Sequence, residues 1–111
     1  MSKRVEVLEK MIAGGTKDSF AWYALAMEYS GAGRLEDALR TFGSLREMDP
    51  GYVPMYLMCG TLLAKAGRVD DARTWLTEGT VAARAKGDTH ALGEIESALA
   101  GLGDGGLTPT Q

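Results

Sequence analysis

The segment Ala32-Gly33-Arg34-Leu35-Glu36-Asp37-Ala38 returns 34 residues later as Ala66-Gly67-Arg68-Val69-Asp70-Asp71-Ala72. Five of the seven positions are identical, and the other two exchange an aliphatic for an aliphatic and an acid for an acid. A fixed period of this length marks a stacked repeat, in which each unit buries its apolar side on its neighbour. It constrains the fold more than any single residue does, because whatever one copy forms the other must form as well.

Between the repeated segments the apolar residues recur at helical spacing. Val5, Leu8, Met11 and Ile12 predict a helix over 4–13, stopped by Gly14-Gly15. Asp18 or Ser19 can cap a second helix, which carries Phe20, Trp22, Tyr23, Leu25, Ala26, Met27 and Tyr29. These wrap more than half of its circumference, so it meets neighbours on two sides. Leu35, Ala38, Leu39, Phe42 and Leu45 predict a third helix over 35–48, ended by Asp49-Pro50-Gly51. A fourth is expected over 53–66, with Pro54 in its first turn, and a fifth over 69–85, ended by Gly87-Asp88. Leu92, Ile95, Leu99 and Leu102 predict a sixth over 89–100. No segment alternates with period two for long enough to argue a strand. The expectation is an all-α chain with turns near 14–18, 31–34, 49–52, 66–68 and 86–88, and a glycine-rich flexible tail at 103–111.

The chain of 111 residues fits one domain, and its net charge of −3 gives no electrostatic reason to bind nucleic acid or an anionic membrane. A single cysteine rules out an intramolecular disulfide and suits a reducing compartment. Glu6, Glu9 and Lys10 interrupt the apolar residues near the N-terminus, so no signal-peptide core is read there, and no run is long enough to span a membrane. A cytoplasmic protein is expected.

Laid on the period, the residues resemble the tetratricopeptide repeat family, whose unit is a helix–turn–helix of the same length. In a repeat begun at Ser19, the family's large and small positions fall on Trp22, Leu25, Ala26, Tyr29, Ala38 and Phe42, and its closing proline on Pro50. Only Leu45 departs, where a small residue is usual. In a repeat begun at Val53, the same positions give Tyr56, Cys59, Gly60, Leu63, Ala72, Leu76 and Gly79, and Arg84 replaces the closing proline. The resemblance implies antiparallel helix pairs stacked as a short right-handed α-solenoid: a half-repeat cap at 1–18, repeats at 19–52 and 53–86, and a capping helix at 87–102. Gly93 and Glu94 make that last half-repeat degenerate, as a terminal face meeting water requires.

The same resemblance implies a non-catalytic interaction module whose first helices line a concave surface. The positions carried over are Phe20, Tyr23, Met27 and Ser30, then Pro54, Leu57, Thr61, Ala64 and Lys65, then Asp88, Ala91 and Ile95. Some members clamp a partner's terminal carboxylate with Lys and Asn; Tyr23, Met27, Leu57 and Thr61 occupy the matching positions here, so that clamp is absent. The face is apolar and aromatic, suited to a hydrophobic peptide or an amphipathic helix. Two other readings of it stand: a homodimer interface, or packing inside a tightly curved stack.

No other residues argue chemistry. Cys59 occupies a core position, and His90 has no second ligand at metal spacing. The pairs Glu36-Asp37 and Asp70-Asp71 complement helix dipoles in first turns. The serines have no paired base, and the glycines are not set in a phosphate-binding loop. Neither an enzyme nor a cofactor is expected, and the partner is another protein or a second copy.

Overall fold

The computed structural model describes residues 2–102, and the expected tail at 103–111 lies outside them. The described residues form six α-helices and no strand: α1 (Lys3–Ala13), α2 (Ser19–Gly31), α3 (Leu35–Met48), α4 (Pro54–Lys65), α5 (Val69–Lys86) and α6 (Thr89–Leu102). Every helix expected from periodicity is present, with ends shifted by at most two residues. Asp18, not Ser19, is the residue that caps α2, its carboxylate accepting from the Phe20 N–H at 3.1 Å.

The turns explain why the two copies share their sequence. At the end of α2, Gly33 takes φ +76°, and the Arg34 N–H returns to the Tyr29 carbonyl at 2.9 Å. At the end of α4, Gly67 takes φ +81°, and the Arg68 N–H returns to the Leu63 carbonyl at 2.9 Å. A left-handed residue followed by this bond satisfies the last carbonyls of a helix, and glycine adopts it without a Cβ clash. The arginine then has a second use. Arg34 pairs with Asp37 at 2.8 Å and Arg68 with Asp71 at 3.2 Å, so each acid sits in the first turn of the next helix beside a cation. Neither α3 nor α5 has a side-chain N-cap bond; the acids of the first turn meet the exposed N–H dipoles instead.

The contacts divide the chain between Pro50 and Gly51 into two units. In the first, α2 packs against both α1 and α3. Ala21, Ala24 and Ala26 are buried on α2, and their small size lets neighbours approach on two sides. Phe42 and Leu45 of α3 are wholly buried. Ser19 donates to the Asp49 carboxylate at 2.6 Å, tying the start of α2 to the end of α3. The Tyr29 hydroxyl hydrogen-bonds the Glu9 carboxylate, and Arg4 pairs with Glu28 at 3.1 Å, tying α2 to α1. Trp22 is only half-buried; its indole N–H donates to the Thr16 carbonyl at 3.1 Å and pins the α1–α2 loop.

In the second unit α5 packs against α4 and α6, and α4 also touches α6. Two glycines set the spacing of these helices. A Cβ on Gly60 would lie 2.6 Å from Leu76 Cδ2, and one on Gly79 would lie 2.6 Å from Tyr56 Cβ and 3.1 Å from Ile95 Cδ1. Tyr56 and Trp75 stack at a tilt, with ring centroids 6.0 Å apart. Leu76, Ala83 and Ile95 form a buried cluster with Val53, and Leu57, Ala91 and Leu92 pack on its rim.

Candidate interaction surface

Four of the five exposed large hydrophobic residues among the described residues lie in the first unit. Phe20 keeps 62% of its surface, Val7 56%, Met11 41% and Met27 36%. Val7 and Met11 are one helical turn apart on α1, and Phe20 and Met27 are two turns apart on α2, so each pair shares a helix face. Between the two helices runs an open groove of about 300 Å³, lined by Lys3, Arg4, Val7, Leu8, Phe20 and Ala24. A second, separate depression lies against the same helix pair, lined by Ser2, Val5, Met27, Glu28, Gly31 and Ala32. The floor of the first groove is apolar, and Lys3 and Arg4 stand at its edge, Arg4 paired with Glu28. Scattered exposed hydrophobics are ordinary, but here Val7 and Phe20 line one groove and Met27 the other depression of the same helix pair, which makes this pair the candidate surface.

The residues carried over from the family positions divide into three groups. Phe20 and Met27 stand at the surface, as do Pro54, Lys65 and Asp88. Asp88 caps α6 by accepting from the Ala91 N–H at 3.0 Å. Tyr23, Ser30, Leu57, Thr61, Ala64 and Ala91 are half-buried. The Tyr23 ring lies 6.5 Å from Phe20 and edge-on to Phe42 at 6.4 Å, so it bridges the surface and the core of its unit. Burial raises the pKa of its phenol above the ordinary value, keeping it neutral. Thr61 turns its hydroxyl back to the Met58 carbonyl at 3.1 Å. Leu57 and Ala91 pack on the buried cluster of the second unit, which makes them at least as much packing as surface.

Ile95 requires a correction. It is 0% exposed and sits against the backbone of Gly79, where glycine leaves room for its Cδ1. It belongs to the core and offers nothing to a partner. The expectation treated every first-helix position alike, whereas α6 is turned into its unit by the close approach at Gly79.

Sequence reading missed Val7 and the part Leu8 plays in the groove. Val7 interrupts the helical spacing of Val5, Leu8, Met11 and Ile12, and the interruption was its signal: an apolar residue off the core stripe is exposed unless something covers it. Trp75 was also passed over. It lies beside Leu76 in sequence and is buried to 9% exposure against Tyr56.

Elsewhere the side chains point to structure. Cys59 is buried. His90 is exposed and lies 3.7 Å from Glu94 one turn on. Two arginines, Arg40 first and Arg34 second, donate to Asp37 and hold its carboxyl below the usual range. No helix among the described residues is long and apolar enough to cross a membrane.

Comparison with known proteins agrees with this architecture. Residues 29–92 match the model of a family described as Tetratricopeptide repeat. A TPR repeat-containing protein of Pseudomonas aeruginosa is 31% identical over 91 residues, covering 82% of this chain and 87% of the relative. The crystal structure of a tetratricopeptide repeat domain protein from Salinibacter ruber is similar at 36% identity and a TM-score of 0.70, over 75% of this chain and 93% of that one. The solution structure of a protein from Bordetella parapertussis is similar at 27% identity and a TM-score of 0.77, over 92% of this chain and 89% of the other.

Proposed function

This chain belongs to the tetratricopeptide repeat family, and from that premise we propose that it is a non-catalytic adaptor that binds a hydrophobic peptide or amphipathic helix on an apolar face built around Phe20 and Met27. Domains of this family serve generally as protein–protein interaction modules. The observation that carries the finer reading is the concentration of exposed apolar side chains, Val7, Met11, Phe20 and Met27, along one helix pair of a small acidic protein. Full burial of such a side chain is worth about 1.5–3 kcal/mol, so the 36–62% still exposed leaves roughly 0.5–2 kcal/mol per side chain, which a bound partner would recover in part. Tyr23 supports the face from beneath through its contacts with Phe20 and Phe42. Leu57, Thr61, Ala64 and Lys65 hold the equivalent positions one period on, in the second unit, where all but Lys65 are half-buried. A reducing compartment such as the cytoplasm fits the one buried thiol, Cys59.

The test is capture from native lysate with the immobilised chain, comparing wild type with Phe20→Glu/Met27→Glu. Both sites are exposed, so the double variant should keep its helical circular dichroism and its melting temperature. Loss of the captured proteins with the fold intact supports the reading. Equal capture by both forms refutes it. A doubling of solution mass that the same variant abolishes assigns the face to self-association instead.

A further inference from the structure

The groove between α1 and α2 has a counterpart in the second unit, and there it is filled. Two periods separate α1 from α5 and α2 from α6. On that register Val7 corresponds to Trp75, Leu8 to Leu76, Met11 to Gly79, Ala24 to Leu92 and Met27 to Ile95. In the second unit these positions meet a third helix, α4. Trp75 stacks on Tyr56, Leu76 lies under Gly60, and Gly79 abuts Tyr56. Ile95 and Leu92 share a cluster with Val53 and Leu57. Trp75, Leu76 and Ile95 are consequently buried, whereas Val7 and Met27 are exposed. Within its unit α1 packs on α2 alone, and among the described residues nothing lies over Val7 and Leu8 as α4 lies over Trp75 and Leu76.

We infer that the α1–α2 groove is the seat of one helix from a partner protein, which completes the N-terminal half-repeat as α4 completes α5 and α6. This rests on the interaction-module reading above and adds the occupant and its direction. The helix runs antiparallel to α1, as α4 runs to α5 on either side of the Gly67 turn. Side-chain sizes state what it must carry. Met11 stands where Gly79 lets Tyr56 in, so the residue matching Tyr56 must be small. Leu8 keeps the shape of Leu76, so the residue one turn later, matching Gly60, must also be small.

Charge sets the far end. The last turn of α4 carries Lys65, and α5 opens with Asp70-Asp71. In α1 the equivalent opening is Ser2-Lys3-Arg4, and Lys3 and Arg4 line the groove; Arg4 is already paired with Glu28, so the reversal rests on Lys3, which stands where α5 has Asp71. The sign is reversed, so the occupant ends in an acidic turn, whose helix dipole is itself negative there. A second copy of this chain is a poor occupant. Its α6 would present His90, Glu94 and Ser97, exposed among the described residues, at the positions of Tyr56, Gly60 and Leu63, placing Glu94 against Leu8.

The experiment uses a synthetic helix of residues 54–65 with Tyr56→Ala and Lys65→Glu, stapled between positions 58 and 62 on the face opposite Gly60. Fluorescence anisotropy measures its binding to the full chain, and amide and methyl NMR shifts locate it. Binding that moves resonances of Val7, Leu8, Met11 and Phe20, weakens at least tenfold in Val7→Glu/Met11→Glu, and weakens severalfold when Lys65 is retained supports the seat. No binding up to millimolar peptide, binding indifferent to Val7→Glu/Met11→Glu, or shifts confined to other helices overturns it. A monomer–dimer equilibrium abolished by Val7→Glu/Met11→Glu also overturns it, in favour of a second copy. Lysate capture separates the two proposals. Proteins lost with Phe20→Glu/Met27→Glu but retained with Val7→Glu/Met11→Glu leave the interaction module standing and remove the seat.

Discussion

Gly79→Ala and Gly93→Ala add the same methyl group to a helix interior, and the structure assigns them opposite signs. Either change should gain about 1 kcal/mol of helix propensity, because glycine loses the most backbone freedom on folding. Gly93 is exposed on α6, and its new Cβ would meet nothing within 4 Å, so the gain is kept. At Gly79 the Cβ would lie 2.6 Å from Tyr56 Cβ and 3.1 Å from Ile95 Cδ1. Tyr56 Cβ is fixed to the α4 backbone, so no rotamer change relieves it. Ordinary carbon contacts need about 3.5–4.0 Å, so α4 and α5 must part by roughly 1 Å. Overpacking of this kind costs about 1–3 kcal/mol, and a backbone obstacle puts it at the upper end, leaving Gly79→Ala destabilised by about 2 kcal/mol net. Gly93→Ala should be more stable than wild type by about 0.5–1 kcal/mol. Urea titrations followed by helical circular dichroism measure both, with the slope checked for constancy. If Gly79→Ala is as stable as Gly93→Ala, the helices are not as close as described, and the argument that buries Ile95 fails with them.

Other substitutions test the remaining contacts. Phe42→Ala, at a wholly buried site, should cost about 3–5 kcal/mol, while Trp22→Ala should cost less because that ring is half in solvent; a reversed order in urea would refute the burial assignment. Leu57→Glu should behave as a packing mutation and lower the melting temperature markedly, since its side chain rests on the Val53–Leu76–Ile95 cluster; an unchanged melt would return Leu57 to the binding surface. Asp37 has a folded pKa below its unfolded one, so it stabilises the fold above the unfolded pKa near 4 and loses that contribution as pH falls through the lower, folded value. Asp37→Asn should therefore show a shallower loss of melting temperature on acidification over pH 2–4 than wild type, and parallel curves would refute the role assigned to its arginine pair.

The helices were legible because their boundaries are local. Gly33, Gly67 and Gly87 take positive φ at helix ends, and Pro54 starts a helix, each acting within a few residues. Core positions in the second unit were legible for a related reason: small residues such as Gly60 and Gly79 are improbable inside a helix unless another helix presses on them. What could not be read was exposure on the first-helix faces. Tyr23 and Ile95 hold family positions that look alike in sequence, yet one bridges surface and core and the other is sealed. The difference lies in which neighbour is present, and neighbours are set by tertiary packing. Val7 and Trp75 are the clearest pair. Two periods apart in register, one is bare and the other covered: Val7 lies off its helix's apolar stripe with nothing over it, and Trp75 is covered because Tyr56 of α4 lies against it.

The packing within each unit joins helices that are close in the chain: α1 to α2, α2 to α3, α4 to α5 and α5 to α6, with α4 to α6 as the longest reach. Contacts of short sequence separation require little loop closure before they reward the chain, so folding should be fast. They also free folding from synthesis order. Once Pro50 has left the ribosome, every partner that α1, α2 and α3 have within their unit has been made, including the Ser19–Asp49 and Glu9–Tyr29 ties. The groove lined by Val7 and Phe20 can therefore be assembled and open to a partner while α4, α5 and α6 are still being translated.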